Sequence, residues 1–103
     1  MPLELQQVLL LTGATANTTG EEQNTSLGRG LTFYIEATGG SIAGTIDIDV
    51  KTPAGNWLTI DSAGVTSTDP IIIQDGDGAY LAVRAVLRDY SSGTFNVVAT
   101  VSV

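Results

Sequence analysis

The feature of this sequence that most restricts its fold is a repeated alternation of apolar and polar residues with a period of two. The alternation runs through residues 31–37, 45–51, 81–88 and 95–103. Successive side chains of an extended strand point to opposite faces, so each such segment can bury one face and expose the other. Nothing in the chain requires a helix of useful length. The alternation therefore predicts a protein built from β-strands.

Turn-forming residues separate these segments, and further strands lie between the turns. Turns rich in Gly, Pro, Asn, Asp and Ser are predicted at 38–41, 53–56, 75–78 and 90–93. Additional strands are predicted at 3–12, 57–60 and 71–73. Pro70 suits the last of these, because proline is tolerated at the first residue of a strand. About seven short strands with frequent turns predict an all-β fold, an antiparallel β-sandwich of jelly-roll or immunoglobulin-like type.

The chain length of 103 residues suits one domain, because domains most often contain about 100–150 residues. We expect a single domain across residues 1–103. Within it, residues 13–30 form a polar segment rich in Thr, Asn, Gly and Glu, which we interpret as one long loop. Long loops in compact domains are commonly functional or mobile.

The composition excludes several classes of function. The chain contains neither Cys nor His, which removes disulfides, thiolate nucleophiles and every catalytic triad that needs imidazole. Eleven acidic residues against four basic ones give a net charge of −7, whereas a nucleic-acid surface needs clustered cations. No apolar run approaches the length of a membrane span, and no secretion signal is recognised. We expect a protein that is not an enzyme, has no cofactor or metal, and binds neither nucleic acid nor membranes.

Two aspartates and two arginines lie on predicted outward faces. Asp47 and Asp49 share one side of a strand, about 6.6 Å apart from the rise per residue. Paired carboxylates at such separations serve glycosidases. Arg84 and Arg88, however, lie on the outward face of another predicted strand. We therefore expect cross-strand ion pairs rather than catalysis.

The acidic turn at 75–78 has two interpretations. Asp75-Gly76-Asp77-Gly78 resembles the opening of a calcium-binding loop, but the position that would carry the twelfth-residue Glu is Val86. Asp-Gly is also a strong hairpin-turn signal, because Gly accepts a positive φ. We expect a turn, and whether Asp75 and Asp77 bind a cation stays open.

The aromatic residues Trp57 and Tyr80 each follow a predicted turn. They could close the open end of a sandwich, or they could form a recognition surface, where amphipathic rings are favoured. Ala82 and Val86 are apolar on the outward face of their predicted strand, so either a second layer or a partner is expected to cover them.

Four short motifs lie between Gly28 and the end of the chain. They are Gly28-Arg29-Gly30-Leu31-Thr32-Phe33, Gly55-Asn56-Trp57-Leu58-Thr59, Tyr80-Leu81-Ala82-Val83-Arg84-Ala85, and a Ser-Gly-Thr turn before the last strand. This part of the chain resembles small tailed-bacteriophage structural proteins, a family that carries an Asn-Trp turn and a strand with the pattern Tyr-x-x-x-Arg. The sequence departs from the family pattern at 71–73 and 75–77.

The resemblance implies an all-β sandwich with a structural role in the virion, most often as a decoration (cement) protein on the capsid exterior. It implies the major capsid protein as partner, a homo-oligomer, and synthesis in the host cytoplasm before assembly. The expected partner-binding residues are Arg29, Trp57, Tyr80, Arg84 and Arg88. The polar loop at 13–30, with Arg29 at its end, is expected to become ordered on contact with the capsid.

Two alternatives stay open. The chain could be a receptor- or carbohydrate-binding β-sandwich of a phage tail or fibre, using Trp57, Tyr80 and the turn at 75–77. It could also be a free-standing β domain whose role the sequence does not name.

Overall fold

The computed structural model describes residues 5–24, 30–75 and 80–102, and the strands within these ranges form one antiparallel sheet. The strands are β1 (Leu5–Ala14), β2 (Thr18–Thr19), β3 (Gln23–Asn24), β4 (Gly30–Lys51), β5 (Trp57–Val65), β6 (Ile71–Asp75) and β7 (Ala82–Ser102). The all-β antiparallel prediction is confirmed. No helix in the described ranges has the length and apolarity that a bilayer crossing requires.

Two long strands, β4 and β7, form the centre of the sheet. They pair antiparallel from Gly30 opposite Ser102 to Val50 opposite Val83. A straight strand of 22 residues would extend about 70 Å, but the longest dimension of the molecule is 42 Å. The β4–β7 ribbon is therefore bent, and its register shifts between Thr38 and Thr45 mark the bend.

The bend folds the sheet into two layers. The first layer contains β1, residues 95–102 of β7, residues 30–38 of β4, and β6. The second layer contains β2 and β3, residues 82–88 of β7, residues 44–51 of β4, and β5. Side chains on the inner face of each layer are fully buried, which requires the two layers to cover one another. The molecule is thus a β-sandwich made from one continuous sheet.

The core lies between the layers and is made of the alternating apolar residues. The largest fully buried side chains are Phe33, Ile35, Phe95 and Val97 from the first layer and Ile46, Ile48, Val65, Val83 and Leu87 from the second. Full burial of such a side chain contributes about 1.5–3 kcal/mol each to folding. With the exception of Ala82, the buried apolar residues on β4 and β7 are the ones that the alternation placed inward.

Gly20 holds the segment after β1 against the side of the sandwich. Its amide donates a hydrogen bond to the Ala85 carbonyl oxygen at 2.8 Å, and a Cβ at this position would collide with the Leu10 carbonyl oxygen. Only glycine permits such a close approach to backbone. The polar segment interpreted as a loop is therefore partly tied down, since β2 and β3 within it pair with β7.

Two of the predicted turns are wrong, because residues 38–41 and 90–93 lie inside β4 and β7. Gly39 and Gly93 have φ angles of 133° and 101°, which residues with a side chain rarely adopt. Here these angles occur at irregularities within the strands and not in hairpin turns. The predicted strand at 57–60 also continues to Val65. The turn at 53–56 is present, and it is closed by hydrogen bonds between Thr52 and Asn56.

Candidate partner-binding surface

The outer face of the second layer carries a row of cross-strand ion pairs. Arg84 Nε lies 3.0 Å from Asp49 Oδ2, and Arg88 Nε lies 2.7 Å from Asp47 Oδ2. The register explains this, because Asp49 lies opposite Arg84 and Arg88 reaches diagonally to Asp47. The expected pairing is confirmed, and both carboxylates are engaged by guanidinium groups.

The two pairs differ in burial. Asp49 is 5% exposed, and its Oδ1 accepts a hydrogen bond from Thr59 Oγ1 at 2.6 Å. A carboxylate removed from water needs such partners to stay charged without a large penalty. Among the described residues, every buried side-chain nitrogen or oxygen has a hydrogen-bond partner.

Asp47 is stabilised as a carboxylate despite its partial burial. Burial pushes the pKa of Asp47 upward, but hydrogen bonds from Arg88 and Ser62 and the positive charge of Arg88 outweigh this effect. The resulting pKa is lower than the ordinary value of 3.8. Asp47 is therefore a charged structural group at neutral pH rather than a candidate general acid.

Trp57 lies half-buried on the same outer face and contacts two cations. The Arg84 guanidinium carbon is 4.2 Å from the ring centroid, and Lys51 Nζ is 5.8 Å from it. Lys51 Nζ is also 3.3 Å from the Glu22 carboxylate. Cation–π contacts of this kind contribute about 0.5–2 kcal/mol each. Trp57 thus covers the ion-pair row and does not close the end of the sandwich.

An apolar hollow of about 380 Å³ lies beside this row, where β4 ends and β5 and β7 begin. Leu58 and Leu81 on its wall are 56% and 47% exposed. Tyr80 lines the hollow and also packs against the core. The described residues that line it are Val50, Lys51, Thr52, Pro53, Leu58, Ile60, Tyr80 and Leu81. A hollow that exposes large aliphatic side chains has the apolar character of a protein-binding site.

The structure describes four of the five predicted partner-binding residues, and it brings two of them into contact. Arg84 lies against the Trp57 ring on the outer face of the second layer, Arg88 pairs with Asp47 farther along the same face, and Tyr80 lines the hollow. Arg29 falls outside the described residues, as do the side chains of the acidic turn at 75–78.

The two outward apolar residues of β7 have different surroundings. Ala82 is 3% exposed and Val86 is half-buried, so the chain itself covers Ala82. Sequence reasoning missed Leu58 and Leu81 as surface residues. Leu58 pairs with the inward-facing Val50. Leu58 and Leu81 are exposed only because they lie at the end of the layer.

Among the described residues, no three His, Cys, Asp or Glu side chains lie close enough together to hold a metal ion. The expectation of no metal stays a prediction.

Comparisons with known proteins identify the fold. No protein-family model and no curated protein sequence matches the chain. The solved structure of YomS from the SPBc2 prophage is similar over 100% of this chain and 96% of YomS, with 18% identity and a TM-score of 0.78. The exported protein XepA of PBSX matches over 100% of this chain but only 39% of its own length, with 11% identity and a TM-score of 0.82.

A third similar structure comes from pili described as Bacillus endospore appendages. It covers 98% of this chain and 88% of its own, with 11% identity and a TM-score of 0.56. At identities this low, the TM-scores establish a shared all-β fold alone.

Proposed function

We propose that this chain is a non-enzymatic structural protein of a tailed-bacteriophage virion that decorates and stabilises the outside of the assembled capsid. The observation that carries the proposal is the apolar hollow, where Leu58 and Leu81 are about half exposed. Apolar side chains gathered in an exposed hollow are a common feature of partner-binding sites.

The fold supports a phage origin. YomS and XepA are phage-derived proteins, and the fold matches each of them over the full length of this chain. The sequence motifs that resemble small tailed-phage proteins include Trp57 and Arg84, and these two residues lie in contact on the outer face of the second layer.

The physical requirements of decoration fit the surface. A decoration protein performs no chemistry, so its affinity comes from burying apolar area around a few anchors. Leu58 and Leu81 supply apolar area, while Trp57 and Arg84 supply the aromatic and cationic residues that dominate protein interfaces. The net charge of −7 suits an outward position that does not touch packaged DNA.

Self-association through a sheet edge belongs to the same proposal. Among the described strands, β5 pairs only with β4, so its other edge is open. An open edge offers backbone donors and acceptors to another chain. We expect a homo-oligomer on the capsid that uses this edge.

The alternative of a sugar platform at Trp57 and Tyr80 receives less support from this region. The cations of Arg84 and Lys51 lie against the Trp57 ring, in space that a stacked sugar ring would need. Tyr80 packs partly into the core.

The test is addition of the purified protein to capsids of its phage from which it has been removed. Co-sedimentation measures binding, and calorimetry measures capsid heat resistance. Leu58→Ser and Leu81→Ser should each weaken binding about tenfold, because each loses about 1.5 kcal/mol or more of apolar burial. Ile72→Ser is the control, because Ile72 is 58% exposed but lies on the first layer.

Two results would contradict decoration. One is a wild-type protein that does not bind the capsids or raise their heat resistance. The other is binding that Ile72→Ser weakens as much as Leu58→Ser does.

A further inference from the structure

A second exposed apolar feature crosses the outer face of the first layer. Leu9 of β1 lies opposite Val98 of β7, Val98 lies opposite Tyr34 of β4, and Tyr34 lies opposite Ile72 of β6. These four side chains form one row at right angles to the strands, which we call the apolar row. Each belongs to a different strand segment, so the row is visible only once the register is known.

The apolar row is narrow and exposed. Leu9 and Ile72 at its ends are 57% and 58% exposed, while Tyr34 and Val98 between them are half-buried. Four strands at a spacing of about 4.8 Å make the row about 14 Å long and one side chain wide. A protein interface instead has a broad apolar centre surrounded by a polar rim. The shape of the row suits a thin, linear ligand.

Uncharged hydrogen-bonding groups flank the row on one side, and an amide and a carboxylate flank it on the other. The first flank is Gln7, Thr100, Thr32 and Gln74, which lie opposite one another across the strands, and the second is Asn96 opposite Glu36. Between the flanks lies a groove of about 340 Å³, lined by Gln7, Tyr34, Glu36, Asn96, Val98 and Thr100.

The flanking groups are available to a ligand. Asn96 Oδ1 accepts a hydrogen bond from the Gly13 amide at 2.8 Å, which fixes the side-chain amide and leaves its NH₂ group as a donor. Among the described residues, no side-chain hydrogen bond engages the amide of Gln7 or the carboxylate of Glu36. These groups offer both donors and acceptors beside an aromatic ring.

We propose that the apolar row and its two flanks bind a neutral, linear glycan. A pyranose ring presents C–H faces, which pack on aromatic and aliphatic side chains, and hydroxyl groups at its rim, which bond to amides and carboxylates. The row supplies the first kind of contact and the flanks supply the second. Glu36 is the one charged group among the row and flanks, and the chain carries −7 overall. Polyanionic glycans are therefore repelled.

This glycan site is separate from the apolar hollow. The row lies on the first layer and the hollow at the end of the second, so a chain that docks through the hollow leaves the row free. The inference goes beyond capsid decoration and does not depend on it.

The test measures binding of the full chain to cellotetraose, chitotetraose and mannotetraose by calorimetry, with dextran sulfate as the polyanionic comparison. We expect at least one neutral tetrasaccharide to bind and dextran sulfate not to bind. Tyr34→Ala and Ile72→Ser should weaken the binding about tenfold, through lost apolar contact. Tyr34→Phe should retain most of it.

The matched control is Leu58→Ser, because Leu58 is 56% exposed on the other surface and its loss should leave glycan binding unchanged. Circular dichroism establishes that each variant is folded, and the exposed Ile72→Ser substitution serves if Tyr34→Ala does not fold. The proposal is overturned if none of the three neutral sugars binds, if dextran sulfate binds best, or if folded Ile72→Ser binds as wild type. A wild-type dimer that dissociates on Ile72→Ser would assign the row to a second copy and also overturn it.

Discussion

At the scale of single residues, the two ion pairs on the second layer have unequal importance. The side chains of Asp49 and Arg84 are 8% and 27% exposed, whereas those of Asp47 and Arg88 in the other pair are 14% and 49% exposed. Removing one partner of a buried pair leaves an uncompensated charge, while an exposed pair contributes little because water screens it. The burial of each pair therefore decides how much its arginine contributes to the stability of the fold.

Arg84→Ala should lower the free energy of unfolding by about 2–4 kcal/mol, since it leaves the Asp49 carboxylate buried with Thr59 as its remaining donor. It also removes one of the two cations that contact the Trp57 ring. Arg88→Ala is the matched control and should cost less than about 1 kcal/mol. Urea denaturation measures both. Equal losses of stability for Arg84→Ala and Arg88→Ala would contradict the argument from burial. Adding Asp49→Asn to Arg84→Ala should recover part of the lost stability, because it removes the unpaired buried charge.

The carboxylate of Asp47 predicts an acid sensitivity. Its folded-state pKa lies below the unfolded value, so it contributes stability that is fully present above the unfolded pKa of about 3.9. That contribution is lost as the pH falls through the lower, folded-state pKa. The difference in stability between wild type and Asp47→Asn should therefore be constant above about pH 5 and shrink below about pH 4.

Urea titrations across this pH range measure the Asp47 effect. In an Arg88→Leu background the guanidinium that lowers the pKa is absent, and burial, which raises the pKa, outweighs the remaining hydrogen bond from Ser62. The difference should then no longer shrink as the pH falls. In the protein that keeps Arg88, a difference that grows as the pH falls would contradict the lowered pKa.

At the scale of elements, the bend in β4 depends on a small residue facing the core. A Cβ on Gly44 would lie 2.9 Å from Leu87 Cδ1 and 2.9 Å from Phe95 Cζ. Leu87 and Phe95 belong to different layers, so Gly44 sits where the two layers converge. Gly40, in the same bend, has nothing within 4 Å of its Cβ position.

Gly44→Val should destabilise the protein by about 2–4 kcal/mol, because two core side chains would have to move. Gly44→Ala should cost about 1–2 kcal/mol for the same reason. Gly40→Ala is the control in the same bend and should change stability by less than about 0.5 kcal/mol. Thermal unfolding measures all three. A Gly44→Val protein as stable as Gly40→Ala would show that the bend can relax without cost.

The sequence predicts the faces of these elements better than their connections. Alternation identified the inward residues of β4 and β7, and it placed Asp49 and Arg84 outward where they pair. It could not distinguish a hairpin from a bend at 38–41, because Gly and Ser suit both. The two-residue strands β2 and β3 carry no pattern of their own, since their pairing comes from β7 far along the chain.

The candidate surfaces were harder to predict because they depend on register. Leu9 and Ile72 are separated by most of the chain and become members of one row only through Val98 and Tyr34. Leu58 continues an ordinary apolar pattern, and nothing local shows that it lies where its layer ends. Ion pairs between neighbouring strands follow from alternation, whereas exposed patches require the tertiary arrangement.

At the scale of the whole molecule, pairing between distant parts of the chain holds the fold together. The N-terminal strand β1 pairs with the C-terminal half of β7, with Leu5 opposite Ser102. β7 also pairs with β2, β3 and β4, so one strand connects both layers. Contacts between residues so far apart in sequence are expected to make folding slow, on a scale of milliseconds to seconds.

This arrangement predicts an order of hydrogen exchange across the described strands. Residues 31–35 of β4 and 97–101 of β7 have a paired strand on each side, so their amides should exchange slowest. The short strands β2 and β3 should exchange fastest. In β5, amides that point toward β4 should be protected, and those on the open edge should exchange rapidly. Mass spectrometry with fragmentation resolves these positions.

The same experiment bears on assembly if it is repeated at increasing protein concentration. Pairing of β5 with another copy would protect its outer-edge amides only at high concentration, while residues 31–35 would not change. At low protein concentration, the Leu58→Ser variant should show the same exchange pattern as the wild type, because Leu58 is exposed and its replacement should not disturb the fold. Outer-edge amides of β5 that exchange at the same rate at every concentration would contradict self-association through this edge. Capsid decoration through the hollow would then have to proceed with single chains.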